Sequence, residues 1–126
     1  MLEHDYILEI IRQFCDAVTH SLRHAIDHHD QESCTEVERE VADLIELDPE
    51  TAMQLSPDSL VTMMLLSGMG QSLGGYVAFS LGRLATVYDE MGQGDVAAIR
   101  RVQARAVAQS FDADLSEAPE GLESLA

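Results

Sequence analysis

Apolar residues along this chain recur three and four positions apart, and nowhere do they alternate with polar ones for the length of a strand. Ile7, Ile10, Ile11, Phe14, Val18, Leu22 and Ala25 fall within about 60° of one line on a helical wheel, so the spacing predicts an amphipathic helix over about 3–28. Tyr6 widens its apolar edge. A second helix is expected from Ser33 or Thr35, each followed three residues later by a glutamate (Glu36, Glu38), with Val37, Val41, Leu44 and Ile45 as its stripe. Asp48-Pro49 opens a short third helix, and Ser56-Pro57-Asp58 opens a fourth that runs to about Ser67. That fourth helix carries "LVTMMLL", is apolar on most sides, and is expected to be the most buried element. "SGMGQSLGG" then interrupts the chain. Two longer helices follow, about 72–91 and 94–111, joined by "GQGD".

The pattern predicts an all-α fold of about six helices in antiparallel hairpins, because every connection is short. Residues 1–111 read as a single domain, with N-terminal helices over 1–70 and a helical hairpin over 71–111. The remaining segment, 112–126, holds five acids, no base, a Pro and a Gly, a composition that predicts a disordered tail.

Charge refines this picture. The net charge is −16, from 23 acids against seven arginines, and no lysine is present. Residues 1–60 hold 15 acids and three arginines, whereas residues 61–111 hold three acids and four arginines. A chain this acidic repels phosphate backbones and anionic lipid, so neither nucleic acid nor membrane is expected as a partner. The opening residues, with Glu3 and Asp5 and no basic cluster, do not read as a secretory signal, and the longest apolar run, Leu60–Leu66, is too short to span a bilayer. The expected location is the cytoplasm of a bacterium. Four arginines, Arg83, Arg100, Arg101 and Arg105, lie on the last two helices, and Arg101 and Arg105 share a face. They are expected to pair with the acidic first half, within the chain or across a homo-oligomer; alternatively, Arg83, Arg101 and Arg105 receive an acidic protein partner.

The segment Gly75–Ala108 resembles one tetratricopeptide-type hairpin: Leu84, Ala85, Tyr88 and Gly92 match its first helix, Gly94-Asp95-Val96 its turn, and Ala106 a small position of its second helix. It departs from the repeat in a longer turn, in Ile99 and Gln103, and in having no second copy. Together with "HDYILEIIRQF" and "LIELDPETAMQLSPDSLVTMM", this hairpin resembles a family of small uncharacterised bacterial proteins, a domain of unknown function, over residues 4–110. The resemblance implies an all-α fold ending in a tetratricopeptide-like pair. Its shared motifs are helix caps and core positions, so it implies no reaction or cofactor.

Candidate chemistry centres on "THSLRHAIDHHDQESC". His20, His24 and His28 are spaced i, i+4, i+8 along the border of the first helix's apolar face. Such a border suits a histidine that packs its ring and keeps one nitrogen wet. The same spacing would let two imidazoles share zinc or nickel, with a third ligand from His29, Asp30, Cys34 or another helix. A weaker version is a pH sensor, with Asp16, Asp27 and Asp30 raising the histidines' affinity for protons. Cys15 and Cys34 read as free thiols in acidic surroundings, and Cys15 does not share a face with His4 or His20. "GMGQSLGG" matches no phosphate-binding spacing and reads as a helix stop followed by close helix packing at Gly74–Gly75. Met53, Met63, Met64, Met69 and Met91 read as core filling, or as the lining of an adaptable groove. The functional expectation is a non-enzymatic, self-associating interaction or scaffold protein; the contrasting one is a metal- or pH-responsive regulator using the histidine stripe.

Overall fold

Uninterrupted by Gly or Pro, the first amphipathic run forms one long helix. In a computed structural model, which describes residues 2–68 and 70–126 and the side chains from residue 5 onward except Met69, it spans Leu2–His28 (α1). Five further helices follow: Gln31–Leu44 (α2), Pro49–Gln54 (α3), Pro57–Ser67 (α4), Gly70–Glu90 (α5) and Gly94–Ser110 (α6). The described residues hold no strand, so the all-α expectation holds. His4 and Met69, named above, lie outside the described side chains.

α1 and α2 meet at a two-residue corner. His29 takes a left-handed backbone (φ 52°), and Asp30 caps α2 by accepting hydrogen bonds from the Ser33 amide at 3.0 Å and the Ser33 hydroxyl at 2.9 Å. α2 therefore starts before the Ser33/Thr35 capping boxes, because Asp30 is already a sufficient cap. The other two caps follow the sequence: Asp48 accepts from the Thr51 amide at 3.2 Å and Ser56 from the Ser59 amide at 3.2 Å.

The core joins Phe14, Val18, Leu22 and Ala25 of α1 to Val37, Val41 and Leu44 of α2 and to the length of α5. The most buried element is α5, not α4. Only Leu60 and Met64 of α4 are buried, while Leu65 and Leu66 are 61% and 76% exposed. The fourth helix lies at the edge of the fold, so its hydrophobicity exceeds what one packing face can use. Of the described methionines, Met53 and Met64 fill the core, Met91 is half-buried and Met63 is exposed, so they line no common groove.

α5 and α6 form the most extensive pair, turning at Gly92 with φ 79°. The far end is closed by Phe111, whose ring sits where side chains at Gly70 and Gly74 would be; a Cβ at Gly74 would stand 2.5 Å from Phe111 Cβ. The close approach uses Gly70 and Gly74, one turn apart on α5, rather than Gly74–Gly75.

Residues 112–126 do not form a disordered tail. Tyr76 Oη donates to the Glu120 carbonyl at 2.9 Å, Arg23 donates to the Ser124 carbonyl, and a closing 3-10 turn, Glu123–Leu125, packs on α1. Leu122 and Leu125 are buried. The acids of this segment face outward, so composition suggested disorder while two leucines supply the anchorage.

A buried polar network ties the layers together. Arg100 of α6 donates to Glu38 of α2 at 2.9 Å and to the Met53 carbonyl at 2.9 Å, and Tyr88 of α5 donates to the same Glu38 oxygen at 3.0 Å. Gln103 donates to the Met53 and Leu55 carbonyls at 3.2 and 3.0 Å. Its amide thus satisfies two carbonyls at the open C-terminal end of α3, where an aromatic residue would supply at most one donor. No described helix is long and apolar enough to cross a membrane.

Candidate functional site

Small residues on both helices of the last hairpin leave a cleft between them. Gly82 and Ala104 form its floor, and Arg83 of α5 with Arg101 and Arg105 of α6 stand around it. The cleft encloses about 290 Å³, and Leu115 reaches it from the C-terminal segment. Arg101 and Arg105 arrive together because they are one turn apart on α6; Arg83 joins them because α5 and α6 are antiparallel.

The three guanidinium groups are not equally engaged. Arg101 Nη2 donates to Asp89 Oδ2 at 2.6 Å, bracing the hairpin. Arg83 Nε is buried without a hydrogen-bond partner. Among the described residues neither Arg83 nor Arg105 closes an ion pair. Within one copy of the chain, the expected pairing of the hairpin arginines with the acidic first half is made by Arg100, which reaches Glu38 of α2. The other three line one cleft, bordered by residues within 79–115, on a chain of net charge −16. Chemically, this arrangement offers several N–H donors of fixed charge beside an apolar floor, which suits carboxylates carried on a partly apolar segment.

The histidine stripe is disposed differently. His24 Nδ1 stands 2.6 Å from Ser33 Oγ and 3.1 Å from Asp30 Oδ1, which ties the α2 cap back onto α1. Desolvation pushes the Asp30 carboxyl up, but the hydrogen bonds from Ser33 and His24 outweigh it and leave Asp30 below the usual carboxylate range. The His28 ring lies 4.3 Å from that of His24, His20 borders a hollow beside Ser33 and Glu36, and His29 Nε2 lies 3.1 Å from Glu90 Oε1. Among the described residues no group of three or more His, Cys, Asp or Glu side chains is placed to hold a metal ion. The stripe is built into the α1–α2 corner: Asp30, one of the further ligands named for zinc or nickel, reaches His24 alone.

Both thiols lie in the core. Burial, reinforced by Glu38 and then Asp30, pushes Cys34 up to about 11; burial likewise raises Cys15, with Asp16 and Glu123 adding to it. Neither is poised as a nucleophile.

One further group was not singled out from the sequence. Glu40 of α2 points at α1, where its Oε1 accepts from the Ser21 hydroxyl at 2.8 Å while its Oε2 is buried without a partner. Burial pushes this carboxyl up to about 7; the Ser21 hydrogen bond opposes the shift and Glu36 and Asp43 add to it. The signal was present in the spacing, because Glu40 falls on the Val37, Val41, Leu44 stripe.

Comparisons with family models, with curated proteins and with solved structures yield no match, so the functional reading rests on the fold and on the geometry of its sites.

Proposed function

We propose that this chain is a non-enzymatic, cytoplasmic interaction protein whose α5–α6 cleft, lined by Arg83, Arg101 and Arg105, receives an acidic segment of a protein partner. One observation carries the reading: three of only seven arginines gather at one cleft, and two of them, Arg83 and Arg105, close no ion pair among the described residues. A self-sufficient surface of this composition would place its few cations against its many carboxylates. The abundance of acidic surface on residues 1–60 makes a second copy of the chain an eligible partner, which is the basis for expecting self-association.

The test uses a fluorescein-labelled peptide of repeating Glu-Glu-Leu. Partly exposed ion pairs contribute about 0.2–1 kcal/mol each, so weak, salt-sensitive binding is expected, with dissociation constants above about 1 µM. Arg83→Glu, Arg101→Glu and Arg105→Glu should each weaken binding several-fold, and the triple variant should abolish it. Binding that is indifferent to all three substitutions would sink the proposal. Light scattering at high concentration reports self-association, which the triple variant should reduce.

A further inference from the structure

The cleft is not empty of the chain itself. After Phe111 seats against Gly70 and Gly74, Asp112 takes a left-handed backbone (φ 57°) and turns the chain back over the hairpin. The Ala113 amide donates to the Ala108 carbonyl at 2.8 Å. Asp114 Oδ1 then accepts from the Ser116 amide at 2.8 Å and the Ser116 hydroxyl at 2.6 Å, holding a turn that presents Leu115 to the arginine cleft. Leu115 Cδ2 lies 3.8 Å from the position a Cβ at Gly82 would take, so the leucine stands over the space that this glycine leaves open. Asp112 and Asp114 border the adjoining hollow with Arg105, yet neither closes an ion pair with it.

Residues 112–115, Asp-Ala-Asp-Leu, thus run along the adjoining hollow beside Arg105 and place Leu115 in the arginine cleft, with the carboxylates outside it. Leu115 is 39% exposed, whereas the anchors on either side of this strap, Phe111 and Leu122, are 5% and 0% exposed. Ala113 and Ala118 also pack against the core, so Leu115 between them is the side chain that can leave the cleft without undocking the C-terminal turn.

We infer that Asp-Ala-Asp-Leu is an internal stand-in for the partner: the cleft recognises a short segment in which an aliphatic side chain neighbours carboxylates, and the partner binds by displacing Leu115. This rests on the arginine cleft being the partner site. An internal occupant lowers the apparent affinity by the fraction of time the cleft stands open, so weakening the occupant must strengthen binding in trans. A better partner than the strap is one whose carboxylates reach Arg83 and Arg105 as its aliphatic group takes the Leu115 position.

The probe is a labelled peptide, Asp-Ala-Asp-Leu-Ser-Glu-Ala, titrated by anisotropy into the full chain. Leu115→Ala is expected to bind it at least fivefold more tightly than wild type, and Asp114→Ala, which unties the turn, should act in the same direction. A peptide with Ser in place of Leu should bind about tenfold more weakly, as should one with both Asp replaced by Asn. Thermal melting of each variant confirms that the fold is retained. If the peptide binds through the arginines but equally to wild type, Leu115→Ala and Asp114→Ala, the stand-in idea is wrong and the arginine site survives. Indifference to the peptide's leucine, with full displacement by inorganic phosphate, would likewise overturn it in favour of a simple anion cleft. If no variant binds any acidic peptide in an arginine-dependent way, the function proposed above falls as well.

Discussion

Glu40 should make the stability of this protein depend on pH in a way that one substitution removes. Its carboxyl ordinarily titrates at 4.5 and is held up to about 7 at the α1–α2 interface. Below about pH 4.5 both folded and unfolded chains carry the proton, and Glu40 costs nothing. Between about 4.5 and 7 the unfolded chain releases its proton while the folded chain retains it, so stability falls as pH rises through this window. Above about 7 the penalty is complete. A fully enclosed carboxylate displaced this far would cost about 3 kcal/mol. Glu40 is only partly enclosed, and solvent screening brings the expected penalty to about 1–2 kcal/mol. Glu40→Gln keeps an oxygen to accept the Ser21 hydroxyl and cannot ionise. Urea unfolding of both proteins at several pH values between 4 and 8 is the assay. Repulsion within a chain of net charge −16 alters both curves together, so the quantity to follow is the difference between them. The variant should gain about 1–2 kcal/mol on wild type between pH 4.5 and pH 8, or several degrees in Tm. A difference that does not change with pH would refute the reasoning.

Three further outcomes follow from the packing. Arg100→Ala strands Glu38 in the interior and should cost about 3–5 kcal/mol by denaturant unfolding, whereas Arg100→Met combined with Glu38→Leu should recover much of the loss; equal destabilisation by both would show that charge burial is not the cause. Gly74→Ala forces the Phe111 ring away and should cost at least about 1–3 kcal/mol, while Phe111→Ala, which empties the notch, should cost about 3–5 kcal/mol; a neutral Gly74→Ala would mean the ring is free to move. Gly121 has φ 99°, and a Cβ there would stand 2.9 Å from Cys15 Sγ, so Gly121→Ala should undock the C-terminal turn and speed modification of Cys15 by a thiol reagent several-fold, with Cys34 as the internal control; an unchanged rate at Cys15 would count against this account of the contact.

Periodicity located all six helices because each buries one stripe, and the Asp48 and Ser56 caps because Pro follows each of them. Burial of α4 was misjudged because hydropathy measures what a helix could bury, not how much surface its neighbours offer; Leu65 and Leu66 find none. The polar interior was legible only in outline. Glu38, Glu40, Arg100 and Gln103 occupy stripe positions, and a charged residue on an apolar stripe indicates burial, but the partner, set by helix docking, is not encoded in spacing. Grouping Arg83, Arg101 and Arg105 needed only charge and helix assignment, whereas the place of Leu115 between them depends on the strap and left no periodic trace. The histidine spacing was real, yet a metal site needs a further ligand from elsewhere in the fold, and sequence distance cannot supply it.

The docking of the closing turn on α1 has a consequence for the order in which the molecule is made. The contact between Cys15 and Glu120 spans 105 residues, and closing a flexible loop of that length costs about 4 kcal/mol in chain entropy. The α5–α6 hairpin needs only a short turn and can form as soon as its residues leave the ribosome. α1 emerges first and waits longest, because the leucines that cover its flank, Leu122 and Leu125, are synthesised more than a hundred residues later. In the nascent chain α1 therefore stays partly uncovered until Leu122 and Leu125 have been made, and a chain truncated before residue 122 would leave it so.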